Sequence, residues 1–350
     1  MTKEEKNQYL SSALAFKRNT LVAAQTGQGI NEKSLAFFSS LPKLLFKYRR
    51  FDKFTVDMIE NKYLYLCPAE KLDDPFECLV DLDISRFYDE NRKSISAACY
   101  QMIVETVLSF TPEQHRERLR EIVYSCTTPQ YTLNRRKALD IFHEVQGSMP
   151  GVDVPMIINN IGNFPNVING PEIQERIGNL ISFSVNAKKE VGICSLSENK
   201  RSQVMWAMYA DNYSGYCVEY DFEHSAEAAI DTYPVIYDDG RKNNVVTAVI
   251  SMFLDGMVER MTGGKMTTDQ TQYFRMFLTK SDEWAFQDEW RIVREAGVKV
   301  PAPPIKAIYI GHKADPENQK AILGLSKRYG FKVFKTRIDH KTLKIEFDEL

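Results

Sequence analysis

The sequence predicts an α+β protein whose mixed, split β-sheet core is interrupted by a large helical insertion. Strand-like and helix-like patterns alternate in residues 43–84 and again in residues 191–350. Residues 85–190 between them contain long helical stretches and few strand signals. Because the sheet must use segments from both sides of this insertion, one core domain is expected rather than two domains in series.

The first part of the chain supports this interpretation element by element. Residues 1–42 carry a mainly polar helical pattern and are predicted to form an N-terminal helical arm. In LLFKYR (Leu44–Arg49) the side chains alternate as they do in a half-buried strand. Asp52 is a suitable N-cap for a short helix, and KYLYLC (Lys62–Cys67) predicts a second strand. The core therefore begins as strand, helix, strand.

The insertion and the second part of the core follow the same reasoning. Residues 151–171 are rich in Gly, Asn and Pro and predict turns between the helices of the insertion. Strand patterns return in VGICSLS and YCVEYDF, and helices are predicted over Asn244–Met261 and Thr268–Leu278. Near the end, Asp315 is predicted to cap a helix that Gly330 closes.

Composition excludes several classes of function. Forty-five basic and 47 acidic side chains give a formal charge of -2, so there is no bulk nucleic-acid signature, although a local basic groove stays open. No signal-peptide-like or membrane-spanning stretch is found, which predicts a cytoplasmic protein. The six cysteines form no C-x-x-C pair and the histidines are isolated, so no metal site is predicted. Hydride transfer and NTP hydrolysis are disfavoured because no G-x-G-x-x-G or P-loop occurs.

Five motifs considered together resemble one family. They are LLFKYR, DDPFE (Asp73–Glu77), CSLSEN, MWAMYADNYSGYCVEYD and EWAFQDEWRIV. In this combination the chain resembles the bacterial domain-of-unknown-function family numbered 2971, to which phage-resistance proteins of the abortive-infection type are similar. The resemblance covers roughly Leu44–Glu77 and Val191–Gly311, leaving the arm and the insertion outside. It implies a fold and motif positions rather than an established activity.

The order of the motifs is similar to that of ADP-ribosyltransferases. Many of these enzymes carry an Arg on the first core strand, a Ser-x-Ser strand, and a Gln-x-Glu or Glu-x-Glu entering a later strand. The matching residues are Arg49, the segment Ser195–Ser197 and the segment Gln287–Glu289. This resemblance implies that NAD is the substrate and that the acceptor of any ADP-ribose is unknown.

Each matching residue has a chemical reason to be there. Cleavage of the nicotinamide-ribose bond passes through an oxocarbenium-like sugar, which the Glu289 carboxylate would stabilise while it binds a ribose hydroxyl. Gln287 would orient the incoming nucleophile, and the planar Arg49 guanidinium would hold the pyrophosphate. The remaining candidates for binding the cofactor are Tyr48, Ser195, Ser197, Trp206 and Tyr209, the serines for the ribose and the aromatic rings for stacking.

Simpler interpretations remain open. Glu289 and Arg291 could form a structural ion pair, and the helical pattern of Val204, Met205, Met208 and Tyr209 favours core packing of that stripe, off which Trp206 falls. The protein could be a non-enzymatic sensor that binds a partner through its insertion. A Mg²⁺-dependent nuclease is a further alternative. Its ligands would come from Asp73, Asp74, Glu77, Glu219, Asp221 and Glu289. The helical insertion also offers enough apolar surface for a homodimer.

Overall fold

The computed structural model describes residues 1–26, 37–74, 84–168, 186–239 and 274–350, with the single residues 175, 179 and 182. Its helices and strands confirm the α+β class. The described strands are β1 (Leu44–Arg49), β2 (Tyr63–Tyr65), β3 (Cys67–Pro68), β4 (Val191–Ser197), β5 (Tyr216–Asp221), β6 (Thr232–Pro234), β7 (Ile236–Tyr237), β8 (Thr279–Lys280), β9 (Glu289–Glu295), β10 (Lys299–Pro301), β11 (Ile305–Ile310), β12 (Lys332–Asp339) and β13 (Lys344–Glu349). The described helices are α1 (Lys3–Thr26), α2 (Thr55–Glu60), α3 (Ile84–Ser109), α4 (Arg116–Ser125), α5 (Arg135–Val145), α6 (Val154–Ile168), α7 (Gln203–Met208), α8 (Ala226–Ala229) and α9 (Pro316–Tyr329).

The large sheet is mixed, as the sequence predicts. Its strands run in the order β13-β12-β11-β5-β1-β4-β9-β6, and β3 pairs with β4 beside this path. Strands β11 and β12 are parallel, whereas β5, β1, β4 and β9 are antiparallel to their neighbours. The central strands therefore come from both sides of the helical insertion.

A gap interrupts the pairing in the middle of this sheet. Strands β1 and β4 share a single register pair, Phe46 with Ser197. At the other end of β4, Ile193 and Gly192 pair with β3. Between these two contacts the edge of β4 has no strand partner among the described residues. We call this opening the β1–β3 gap, and it is the split in the sheet.

Both faces of the sheet are packed. On one face Tyr9 and Leu10 of α1 are buried in an apolar cluster with Trp290 of β9. On the other face Trp206 of α7 packs with Phe46 of β1 and Tyr309 of β11. The sequence interpretation treats residues 1–42 as an arm, yet α1 contributes directly to the core because its apolar side chains face the sheet.

The chain divides into two compact units. The first comprises Met1–Cys78, Asn186–Arg241 and Phe274–Leu350, and it contains the large sheet. The second comprises Leu79–Val185 and Lys242–Tyr273.

The described part of the second unit is helical. Helices α3 to α6 bury apolar side chains such as Tyr100, Leu119 and Phe142. The turns expected in residues 151–171 are wrong, because α6 spans Val154–Ile168 within that stretch.

The error has a physical cause. Ile157, Ile158 and Ile161 are buried at helical spacing, and their burial outweighs the weak helix propensity of the intervening Gly and Asn residues. The helix expected over Asn244–Met261 lies outside the described residues. So does the part of the expected helix Thr268–Leu278 that precedes residue 274.

Candidate functional site

A cleft of about 850 Å³ opens at the β1–β3 gap. This volume lies within the range of pockets that hold small ligands, roughly 300–1,000 Å³. The walls come from the end of β1, from β3 with the turn that follows it, from the middle of β4, and from the segment that enters β9. The split in the sheet therefore creates the concave surface.

Six of the residues predicted from the sequence line this cleft. They are Tyr48, Arg49, Ser195, Tyr209, Gln287 and Glu289. The motifs that are far apart in the sequence, on β1, β4 and β9, thus meet around one cavity. They meet because β1 and β4 are neighbours in the sheet and β4 pairs with β9 along its length.

Two predicted residues, Trp206 and Ser197, do not line the cleft. Trp206 is fully buried, and its indole nitrogen donates to the Lys200 carbonyl at 2.9 Å. Its ring packs edge-on against Tyr48, so it supports a wall of the cleft from behind. The Ser197 hydroxyl donates to the carbonyl of Gln287 at 2.7 Å, which fixes the backbone just before β9. Both side chains position their neighbours in the cleft.

The Glu289 carboxylate is ion-paired. Arg291, two residues along the same strand face, donates from Nε to Oε1 at 2.8 Å and from Nη2 to Oε2 at 3.0 Å. The Lys280 ammonium lies 3.5 Å from Oε2. The ion pair considered as a simpler interpretation of these residues is therefore formed.

Burial decides the electrostatics of this pair. It raises the pKa of the Glu289 carboxyl, while the charge of Lys280 and a hydrogen bond from Ser195 lower it. Burial also lowers the pKa of the Arg291 guanidinium, against the charge of Asp74. The two hydrogen bonds from Arg291 favour the charged forms of both partners and oppose the effect of burial.

Gln287 is held at both ends of its amide. Its Nε2 donates to the Tyr209 hydroxyl at 2.7 Å, and its Oε1 accepts from Lys280 Nζ at 2.9 Å. Asp288, the next residue, has a left-handed backbone with φ of 43°. This turn ends a 3₁₀ helix and begins β9, so Gln287 and Glu289 both reach the cleft.

Arg49 is positioned by its own strand end and by a neighbouring turn. Its Nη2 lies 3.4 Å from an Asp52 carboxylate oxygen, and its side chain is half-buried. A Cβ on Gly215 would lie 2.2 Å from the Arg49 carbonyl oxygen and 2.9 Å from the Ala210 backbone. Only glycine fits at residue 215, because any side chain would push the end of β1 away.

Cations outnumber carboxylates in the cleft. The cationic side chains are Lys47, Arg49, Arg50, Lys71, Lys280 and Arg291, and the carboxylates are Asp52, Asp73 and Glu289. The lining therefore has a formal excess of three positive charges, which favours an anionic ligand. Aromatic rings of Tyr48, Tyr65 and Tyr209 add surfaces for a planar group.

Sequence reasoning named only Arg49 and Arg291 among these cations and missed the others, including Lys47 and Lys280. Lys47 Nζ donates to the Ser195 carbonyl at 2.9 Å, so it satisfies a backbone acceptor at the edge of β4 in the gap. The alternation of β1 placed Lys47 on the same side as Arg49 and could have identified it. Lys280 is buried between Gln287 and Glu289, and no motif in its surroundings pointed to it.

The carboxylates of the nuclease alternative are spread over different places. Asp73 and Glu289 line the cleft, whereas Glu219 and Asp221 do not. Glu77 lies outside the described residues. A magnesium site would therefore have to form without these two carboxylates of β5.

The fold and the cleft define an α+β protein with a cation-rich cavity in a split, mixed sheet. Residues 205–292 match the model of a family described as Protein of unknown function (DUF2971), which confirms the resemblance to the family numbered 2971. The match begins within α7 and includes Gln287 and Glu289. No curated protein and no solved structure matches the chain. Within the described residues, no helix combines the length and the apolar character needed to cross a membrane.

Proposed function

We propose that the cleft binds NAD and places Glu289 at the bond between nicotinamide and ribose, so that the protein transfers ADP-ribose or hydrolyses the dinucleotide. One observation carries this proposal. Arg49 of β1, Ser195 of β4, and Gln287 and Glu289 at the start of β9 line a single cleft. The order of these residues in the chain is the order expected for an ADP-ribosyltransferase.

The cationic wall suits the pyrophosphate. Arg49 offers a planar donor set for two phosphate oxygens, and Lys47 adds a second positive charge on the same strand. Their combined field attracts the phosphates before contact is made. The pyrophosphate is therefore assigned to the β1 side of the cleft.

The opposite wall suits the nicotinamide ribose. Glu289 lines the cleft, where its carboxylate accepts a ribose hydroxyl and opposes the positive charge that develops on the sugar. Arg291 reduces the net charge of this carboxylate, so hydroxyl binding is the larger part of its role. The fixed amide of Gln287 orients the attacking nucleophile, and the rings of Tyr48 and Tyr209 stack on a base.

The first prediction concerns turnover. Purified protein incubated with NAD should release nicotinamide, measured by liquid chromatography. Glu289→Gln should lower the release by about 10²- to 10³-fold, because one preorganised interaction with the transition state is lost. Arg49→Ala should also lower it, through weaker binding of the pyrophosphate.

A matched control separates the chemistry from loss of an ion pair. Glu105 accepts two hydrogen bonds from Arg120, at 2.8 and 2.7 Å, and lies outside the cleft. Glu105→Gln should leave nicotinamide release unchanged. Equal release by wild type and Glu289→Gln, or no release by folded wild type, would contradict the catalytic assignment.

A second candidate function is binding without turnover, as in a sensor. The observation that favours it is the pairing of Glu289 with Arg291, since a neutralised carboxylate stabilises a sugar cation less. Isothermal titration calorimetry would then show NAD binding that Arg49→Ala weakens, with no nicotinamide formed. Rapid formation of nicotinamide would eliminate this candidate.

A cytoplasmic enzyme that consumes NAD fits a role in phage defence or as a toxin, as the family resemblance implies. Induced expression in a bacterial host should then lower cellular NAD and arrest growth, and Glu289→Gln should relieve both effects. Arrest with normal NAD levels would argue against this role.

A further inference from the structure

We infer that the ligand of the cleft carries a phosphate monoester in addition to its pyrophosphate, and that Arg50 and Lys71 bind this extra phosphate. In the class of ligand proposed above, this makes NADP a better ligand than NAD. The inference rests on the proposed function. It adds that the substrate carries a further phosphate group.

Four of the cations already have polar partners in the protein. Arg291 is paired with Glu289, and Arg49 with Asp52. Lys47 donates to the Ser195 carbonyl, and Lys280 to the Gln287 amide. These four side chains are fixed in place around the inner part of the cleft.

Arg50 and Lys71 differ from these four cations. Both side chains are exposed and line the cleft. Neither has a hydrogen bond or an ion pair with another residue in the part of the chain that the structure describes. Their donors are therefore available to a ligand.

Arg50 and Lys71 belong to different elements beside the gap. Arg50 directly follows β1, and Lys71 ends the 3₁₀ helix that follows β3, so the two cations approach the β1–β3 gap from its two sides. Asp73, two residues after Lys71 in the chain, is the carboxylate of the lining on that side of the gap.

The charge balance of the cleft favours a ligand with more negative charge than NAD. A pyrophosphate brings two negative charges, and the pyridinium of NAD cancels one of them. NAD therefore compensates one of the three excess positive charges in the lining and leaves two of them uncompensated. A phosphate monoester adds about -1.5 to -2 at neutral pH and three acceptor oxygens, which Arg and Lys bind well.

The test compares NAD with NADP on the full chain by isothermal titration calorimetry at fixed ionic strength. NADP should bind about tenfold more tightly, and raising the salt concentration should reduce this ratio. The double variant Arg50→Gln, Lys71→Gln should bind both nucleotides with similar affinity. The double variant Arg118→Gln, Lys320→Gln removes the same two side-chain types from exposed positions outside the cleft, and it should keep the preference.

The outcomes separate this inference from the proposed function. If wild type binds NAD and NADP equally, the charge inference is overturned and the NAD cleft stands. A preference for NADP that survives in the Arg50, Lys71 variant overturns the assignment of these two residues. If neither nucleotide binds, the proposed function is overturned and the inference falls with it.

Discussion

The side chain of Arg291 is fully buried, and its guanidinium contacts two kinds of acceptor. It donates to Glu289 and, through Nη1, to the Phe277 carbonyl at 2.6 Å. Removing one partner of such a pair leaves an uncompensated charge in a medium of low dielectric constant. The same two residues thus stabilise the fold and form a wall of the cleft.

A double-mutant cycle tests this dual role. Glu289→Leu and Arg291→Met should each lower the free energy of unfolding by about 3–5 kcal/mol, because each leaves the partner's charge buried. The double variant should lose less than the sum of the two losses, since the two residues are in contact and neither charge is then left without the other. Urea denaturation followed by circular dichroism provides the measurement.

An exposed ion pair provides the control for this cycle. Arg328 Nη1 lies 2.7 Å from Glu60 Oε1, and the arginine side chain is 66% exposed. Glu60→Leu and Arg328→Met should each lower the free energy of unfolding by at most about 1 kcal/mol. If the losses at residues 289 and 291 were as small, the pair would have no structural role and the interpretation above would be wrong.

At the scale of elements, the turn after α7 shapes the end of β1. Asp211, Asn212 and Tyr213 all have left-handed backbones, with φ between 47° and 69°. Such residues cost stability and persist where the surroundings hold them in place. The turn leads into Gly215, which contacts the backbone of Arg49.

Glycine-to-alanine exchanges test this element directly. Gly215→Ala should lower the free energy of unfolding by about 1–3 kcal/mol, because the new Cβ has no space beside the Arg49 carbonyl. It should also weaken nucleotide binding by displacing Arg49. Gly324→Ala in α9 introduces the same methyl group where nothing lies within 4 Å, and it should raise stability by about 1 kcal/mol.

Thermal unfolding and titration calorimetry of both variants provide the readouts. Equal stability of Gly215→Ala and wild type would show that the end of β1 tolerates displacement. The position of Arg49 would then not depend on this turn.

Helix α7 shows why periodicity alone misled at this scale. The stripe expected to be buried includes Val204 and Met208, but both are more than two-fifths exposed, whereas Trp206 is fully buried. A helix of six residues is too short for a stable apolar face, and the large indole ring has the most to gain from burial. The stripe interpretation is wrong for these residues for that reason.

At the scale of the whole molecule, the first compact unit is assembled from three segments of the chain. The cleft takes side chains from all three of these segments. A ligand that bridges them stabilises the native state only, because the unfolded chain has no cleft. The homodimer expected from the helical insertion stays a prediction, which light scattering can check.

Ligand-dependent stability tests this assembly. Nucleotide at about 100 times its dissociation constant should raise the free energy of unfolding by about 2.7 kcal/mol. Amide hydrogen exchange should slow in β1, β4 and β9 together. Arg49→Ala at the same nucleotide concentration should show neither effect, and slowing confined to a single strand would contradict binding across the gap.

Local patterns specified much of this protein. Strand patterns identified β1, β4 and β5, capping by Asp315 and Gly330 identified α9, and the resemblance to ADP-ribosyltransferases selected six residues that line one cleft. These features depend on neighbours along the chain, so the sequence contains them.

Contacts between distant segments were decided by the tertiary structure alone. Strands β1 and β4 pair only at Phe46 and Ser197, which leaves the gap in the sheet. Folding also brings Lys280 to the carboxylate of Glu289. The burial of Trp206 likewise depends on the sheet beneath it. Strand register and charge pairing arise from segments that meet only in the folded chain, which is why no local period could reveal them.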